Sequence, residues 1–239
     1  MEGLERMNAQ MNGVTGTRAT KRTQPRAVAT RRRILDSAIR LFAEHGYTST
    51  GTRQIIADSG MTGGAFYHHF ETKNAVASAI LAESSAKVHA AFLSADADGP
   101  ALEAVIRGTF AVASLHVNDA GARVASQLMH TVGTSAGAAT RYYSTWVNAL
   151  GAQFARAQLQ GDVRSDADPE VLGRSIVCAA YGAWAVASLT VDDPRITRQL
   201  TDLWEVLLPA ILVAEAVPHF RDFLGAQSLT PRTSEAATR

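Results

Sequence analysis

I-I-A-D-S-G-M-T-G-G-A-F-Y-H-H-F at 55–70 is the stretch on which the reading of this 239-residue chain turns. Ile55 and Ile56 are the inward pair of a short helix over about 52–58, with Thr50 or Gly51 as its N-cap. Gly60-Met61-Thr62 makes a tight turn, and Thr62 caps a second short helix reaching about His69. Two short helices joined by three residues that include a glycine form a helix-turn-helix, whose second helix enters the major groove. On that helix Ala65, Tyr67, His68 and His69 offer small, aromatic and hydrogen-bonding groups to a duplex, while Ala65, Phe66 and Phe70 also have an inward face to fill. The hydroxyl and backbone N–H groups at Thr62 form a phosphate site at a helix N-terminus. A metal site at His68-His69 is not expected. Neighbouring residues on a helix diverge by about 100° and cannot chelate one ion, and no Cys, Asp or Glu stands at ligand spacing.

Outward from the motif the pattern stays helical. Upstream, Ile34, Leu35, Ala38, Leu41 and Phe42 form one apolar stripe on a helix over about 27–45, closed by Gly46. Downstream, a long helix starts after Thr72 and continues to about Leu93, before the D-A-D-G-P break at 96–100. Lys73 sits in its first turn, where a cation opposes the helix dipole. A DNA phosphate nearby would reverse that sign; a solvated lysine is the alternative. Helices follow over 101–117, 121–132, 137–160, 168–190 and 196–217, with Pro209 expected to kink the last one. No β alternation and no internal repeat is visible. The chain is read as all-α, with about nine helices.

Composition narrows the function. With 46% apolar and 19% charged residues the chain is globular. Its single cysteine, Cys178, excludes intramolecular disulfides and Cys-rich zinc sites and fits a reducing, cytoplasmic setting. No secretory signal is seen, and the 17-residue uncharged run at 175–191 is rich in Ala, Gly and Ser. It reads as a buried helix, with no membrane partner. Residues 1–35 carry eight basic and two acidic side chains, giving +6, against −5 for 36–239. A basic head on an acidic body points to nucleic acid at one end; an incidental, solvated tail is the alternative. Cys178 has no basic neighbour to activate it, and no Gly-rich phosphate loop or nucleophile elbow appears. No enzyme and no cofactor are expected.

The stretch 30–76 closely resembles the DNA-binding domain of TetR-type repressors. The resemblance rests on T-R-R-R-I-L-D-S-A at 30–38, L-F-A-E-H-G-Y at 41–47, the quoted motif and Lys73. It implies phosphate contacts at Thr30, Thr62, Gly64, Tyr67, His69 and Lys73, and bases near Ala65 and His68. Arg53 and Gly63 complete the expected DNA-binding set. Gly63 departs from the family, which usually has Lys or Arg there; that removes a charged contact, for which the basic N-terminal arm is expected to compensate. The expected division is a basic, disordered arm over 1–25, a DNA-binding domain over 26–72, a ligand-binding and dimerisation domain over 73–222 and a flexible tail over 223–239.

The resemblance further implies a homodimer that binds double-stranded operator DNA and senses a small molecule in its C-terminal half. Small residues in 168–190 (Ala179, Ala180, Gly182, Ala183, Ala187) and the apolar set Leu203, Trp204, Leu207, Leu208, Ile211 and Leu212 are the expected dimer faces. A narrower resemblance is to the γ-butyrolactone receptor branch, carried by Trp146, Arg156-Ala157, Gly161-Asp162-Val163, Asp168-Pro169, L-W-E-V-L-L-P-A-I at 203–211 and A-F-Y-H-H-F at 65–70. It implies a repressor released by a lactone-like, largely hydrophobic effector. A TetR-type regulator of efflux or lipid metabolism with a different ligand is the alternative. Polar side chains set in apolar sequence are the candidate effector contacts: Gln127, His130, Tyr142, Trp146, Tyr181 and Trp184. Each also reads as a core residue with a satisfied polar tip.

Overall fold

A computed structural model describes residues 20–94, 99–132, 136–187 and 195–228, with no β-strand among them beyond one isolated bridge. Residues 1–19 of the arm expected over 1–25, and the end of the tail, 229–239, lie outside the described residues. Ten α-helices lie among the described residues: α1 Thr20–Ser49, α2 Thr52–Ser59, α3 Gly63–His69, α4 Lys73–Leu93, α5 Ala101–Asn118, α6 Ala120–Thr131, α7 Ala136–Gln160, α8 Pro169–Ala187, α9 Arg195–Ile211 and α10 Val217–Ser228. The fold is all-α, as the sequence predicts. Two differences concern ends. α1 starts at Thr20, inside the span assigned to the arm. The helix predicted over 196–217 stops at Ile211, two residues past Pro209, where the chain turns onto the α7–α8 loop. There Arg164 N–H donates to Ile211 O at 2.9 Å and Val213 N–H to Asp162 O at 3.0 Å. A further helix, α10, then buries Phe220 and Leu224, so the body's core runs past residue 222.

Local chemistry sets the short helices. Gly46 breaks α1 at φ 78°, ψ 159°, a conformation only glycine adopts without strain. Gly51 N–H donates to Gln54 Oε1 at 2.6 Å at the start of α2, and Gly60 closes that helix at φ 64°. Thr62 Oγ1 accepts from Ala65 N–H, and Thr72 Oγ1 from Ala75 N–H, each at 3.1 Å. Such caps contribute about 1 kcal/mol apiece.

Two cores result. The head's core joins Ile34, Leu35, Phe42, Ile55, Phe66 and Ile80 to Val124, Ala125 and Leu128, so α6 and the first half of α4 belong to it. The body's core gathers Leu102, Ile106, Phe154, Trp204, Leu208 and Phe220. Within it α7 and α8 pack at glycine: a Cβ on Gly173 would stand 2.7 Å from Gly151 N and 2.8 Å from Val147 O.

One expectation about the dimer faces is corrected. Trp204, Leu208, Ile211 and Leu212 are buried in the chain's own core, and so is Ala180. The amphipathic period of α9 places these side chains one turn apart on its inner face. Among the small and apolar residues that α8 and α9 leave exposed are Val171, Cys178, Gly182, Val186 and Val206. Ala187's side chain lies outside the described residues. No helix among the described residues is long and apolar enough to cross a membrane.

Candidate DNA-binding surface and effector region

The second helix of the motif is held by its apolar side and shows its polar side. Phe66 is fully buried and Phe70 nearly so, while Tyr67 is 57% exposed with its ring edge-on to Phe66. Thr62, Gly64 and His68 are exposed, and Gly63, Ala65 and His69 half-buried. The expected contact residues of this helix therefore lie together on one short element. Arg53 is exposed on α2 and Thr30 half-buried on α1. Burial, then the charges of His68 and Arg31, depress the His69 pKa, favouring its neutral ring. Among the described residues no three His, Cys, Asp or Glu side chains are placed to hold a metal ion.

Lys73 is not a solvated lysine in this structure. Its ammonium donates to Tyr47 O at 2.7 Å and Thr50 O at 2.8 Å, and lies 4.2 Å from the centre of the Tyr47 ring. These carbonyls end α1 and precede α2, so Lys73 ties the start of α4 to the first half of the motif. A second clamp joins α1 to α2. Ser37 Oγ donates to Asp58 at 2.5 Å, and Arg40 also pairs with Asp58. The Ser37 hydrogen bond and the Arg40 charge hold the Asp58 carboxyl below its usual pKa against the opposing effect of burial. Sequence reading missed both clamps, because neither partner pair shares a motif or a helical repeat.

The expected effector residues divide. Trp146 and Trp184 both pack on the body's core. Trp146 meets Phe92 of α4 edge-on, ring centres 5.3 Å apart, and His89 at 5.8 Å. Trp184 stacks on His116 of α5 at 4.5 Å and 14° between planes. The His116 ring is buried and bridges Val112 O and Ser126 Oγ, each at 2.9 Å; burial lowers its pKa. Tyr181 is half-buried, and burial raises the pKa of its hydroxyl. Gln127 is not with them: it lines a cleft with Phe42, Tyr47 and Leu128, between α1 and α6 at the head. Its α6 neighbours Val124 and Leu128 are committed to the head's core, which carries Gln127 there. The side chains of His130 and Tyr142 lie outside the described residues.

Among the described residues of the body, three buried polar atoms have no hydrogen-bond partner: Trp184 Nε1, Gln153 Oε1 and Gln199 Oε1. Leaving such a group unpaired costs about 1–3 kcal/mol. Gln153 and Gln199 were not among the expected residues, although each is a glutamine within the largely apolar course of a long helix, the signal used for the others.

Residues 34–80 match the model of bacterial regulatory proteins of the tetR family, and residues 99–213 the tetracyclin repressor-like C-terminal domain. The chain belongs to the TetR family. It is a DNA-binding repressor of the TetR type. The A-factor receptor protein of Streptomyces griseus is 28% identical over 86% of this chain and 73% of that protein. The crystal structure of a γ-butyrolactone receptor, an ArpA-like protein, superposes with a TM-score of 0.72 at 28% identity, over 85% of this chain and 98% of that one. CprB from Streptomyces coelicolor, in complex with its biological operator sequence, gives 0.70 at 27% identity, over 86% and 100%. The resemblance to this branch of the TetR family thus extends through both head and body.

Proposed function

We propose that this TetR-type repressor acts as a homodimer in the cytoplasm and leaves its operator when a small, largely apolar effector of the γ-butyrolactone kind enters the body. On this reading Tyr67, His68 and Ala65 face bases, while Thr62, Gly63, Gly64 and His69 face the backbone, with Thr30 and Arg53 flanking them. Lys73 acts through position, by fixing the motif against α4. The exposed small and apolar side chains of α8, with Val206 of α9, supply the surface on which two copies would meet.

The observation that carries the effector reading is the unpaired, buried indole N–H of Trp184, which packs on the apolar core of the body. A ligand carbonyl would satisfy it, and an acyl chain would suit the walls. The likeness to lactone receptors over most of the chain favours this class over a regulator of efflux or lipid metabolism. Solvent extraction of the purified protein followed by mass spectrometry tests it, together with release of operator DNA by a synthetic 2-acyl-γ-butyrolactone. Trp184→Phe keeps an aromatic ring against His116, smaller than the indole, and removes the N–H. Operator affinity should persist in that variant while the lactone concentration needed for release rises about tenfold, the scale of one lost buried hydrogen bond. Unchanged release would remove Trp184 from the effector site.

A further inference from the structure

The T-R-R-R run at 30–33 within α1 looks like three free cations beside the recognition helix, but the fold neutralises two of them. Arg31 lies 2.5 Å from Glu83 and Arg32 3.4 Å from it, while Arg32 also pairs with Asp36 at 2.7 Å. Two arginines thus face two carboxylates, and the cluster has no net charge. Arg31 is placed against the end of the recognition helix: its guanidinium stands 5.5 Å from the centre of the Phe70 ring, which caps α3, and its charge is felt at His69. Glu83 belongs to neither helix. It sits on α4, the element that links head to body.

These side chains remain wet. Relative exposures are 42% for Arg31, 50% for Arg32 and 36% for Glu83, so no buried charge locks the arrangement. Exposed carboxylate pairs of this kind hold weakly and exchange readily. A duplex presents phosphates that take the same planar donor fork in two parallel hydrogen bonds and release condensed counterions when they do. We propose that Glu83 is a competitor for DNA phosphate. In the free protein it holds Arg31 and Arg32; on a duplex the two guanidinium groups pass to the backbone beside the recognition helix. The DNA-binding surface then extends along α1 beyond the motif, and its strength is set by a residue of α4. Because Arg32 keeps Asp36, Arg31 is the side chain that Glu83 controls most. The inference rests on the DNA-binding reading of the head.

A labelled random-sequence duplex of about 30 base pairs, long enough for two successive major-groove sites, tests it without knowledge of the operator. Its binding is followed by fluorescence anisotropy across a potassium chloride series, with thermal melts beside it. Glu83→Gln should tighten duplex binding about threefold to tenfold at fixed salt, whatever the melt does. Arg31→Gln/Arg32→Gln should weaken binding and reduce the slope of log affinity against log salt by about 1.8, two phosphates' worth. Adding Glu83→Gln to that double variant should change nothing. Unchanged or weaker binding by Glu83→Gln alone would make the cluster a structural tie and overturn the proposal. An equal gain in the double-variant background would overturn it too, by making Glu83 a general repulsive charge. If the wild-type chain bound no duplex, the DNA-binding reading would fall first and this inference with it.

Discussion

The head and the body of this repressor are held together over different distances in sequence. In the head, the caps that start α2, α3 and α4 join near neighbours (Gly51 to Gln54, Thr62 to Ala65, Thr72 to Ala75), and the clamps Ser37–Asp58 and Lys73–Tyr47 reach only 21 and 26 residues. In the body, the contacts join helices remote in sequence. Trp204 Nε1 donates to Thr109 Oγ1 at 3.1 Å across 95 residues, and Trp184 reaches back to stack on His116. The polar groups differ in the same way. The head turns Tyr67 and His68 outward from a closed core, whereas the body buries an indole N–H and two amide oxygens without partners. A duplex reader needs fixed groups on a rigid surface. On the proposed reading, the body's unpaired groups are the hydrogen bonds left for an effector to make.

The comparison breaks most visibly at the head's core. Phe66 is fully buried and its ring is the floor under Tyr67 and Phe70. Phe66→Ala should cost about 3–5 kcal/mol, the range for truncating a large aromatic in a packed core. Urea unfolding read by circular dichroism measures that loss, and anisotropy should show duplex binding gone. Retained binding at full affinity would mean that α3 is held by its caps alone.

Next in size is the tie between motif and linking helix. Lys73→Met keeps most of the stem's packing on Tyr47 but withdraws the donor from Tyr47 O and Thr50 O. A cost of about 1–3 kcal/mol follows from leaving those carbonyls short of a donor. If the role were only a phosphate contact, stability would stay put and the salt dependence of DNA binding would shift instead. The two outcomes separate a clamp from a DNA ligand.

That residue also marks how far the sequence could be read. The motif's helices, their caps and the outward set on α3 were all legible, because periodicity and capping act over three or four residues. Lys73 was visible as a charge, but its acceptors lie 26 and 23 residues away in a turn whose shape depends on Gly46. Gln127 was placed with the tryptophans by its apolar surroundings, yet the face that α6 gives to the head decides where it goes. The end of α9 was missed for the same reason. Its C-terminus is fixed by pairing with the α7–α8 loop, which no local signal announces.

A smaller effect sharpens the contrast through pH. Burial holds the His116 pKa below its unfolded value, so the unfolded chain takes up the proton first as pH falls. Stability contributed by neutral His116 is therefore fully present above the ordinary histidine range and is lost as pH drops through it. His69 is shifted in the same direction and adds to the trend. The lowered carboxylates Asp58 and Asp119 act only further down, below the ordinary aspartate value. Urea midpoints measured between about pH 7 and pH 5 should fall for the wild type and fall less for His116→Phe. Equal slopes in the two proteins would show that His116 is not the titrating group.

The finest test concerns the two glycines that open α3. Neither has a positive φ, and a Cβ on either meets nothing within 4 Å, so the fold itself requires glycine at neither position. Gly63→Lys gains up to about 0.7 kcal/mol in helix propensity but sets a cation at a helix N-terminus, which costs about 0.3–1 kcal/mol. These nearly cancel. The melting temperature should hardly move, while duplex binding gains one phosphate contact and about 0.9 in salt slope. Gly64→Ala carries no charge and should stabilise the free protein by about 1 kcal/mol at most. If the duplex backbone comes close to Gly64, the added methyl has no room and binding weakens while stability rises. That opposite movement of melting temperature and affinity would show a glycine kept for DNA. Parallel or absent changes would show that α3 tolerates the side chain in both states, and that the backbone passes elsewhere.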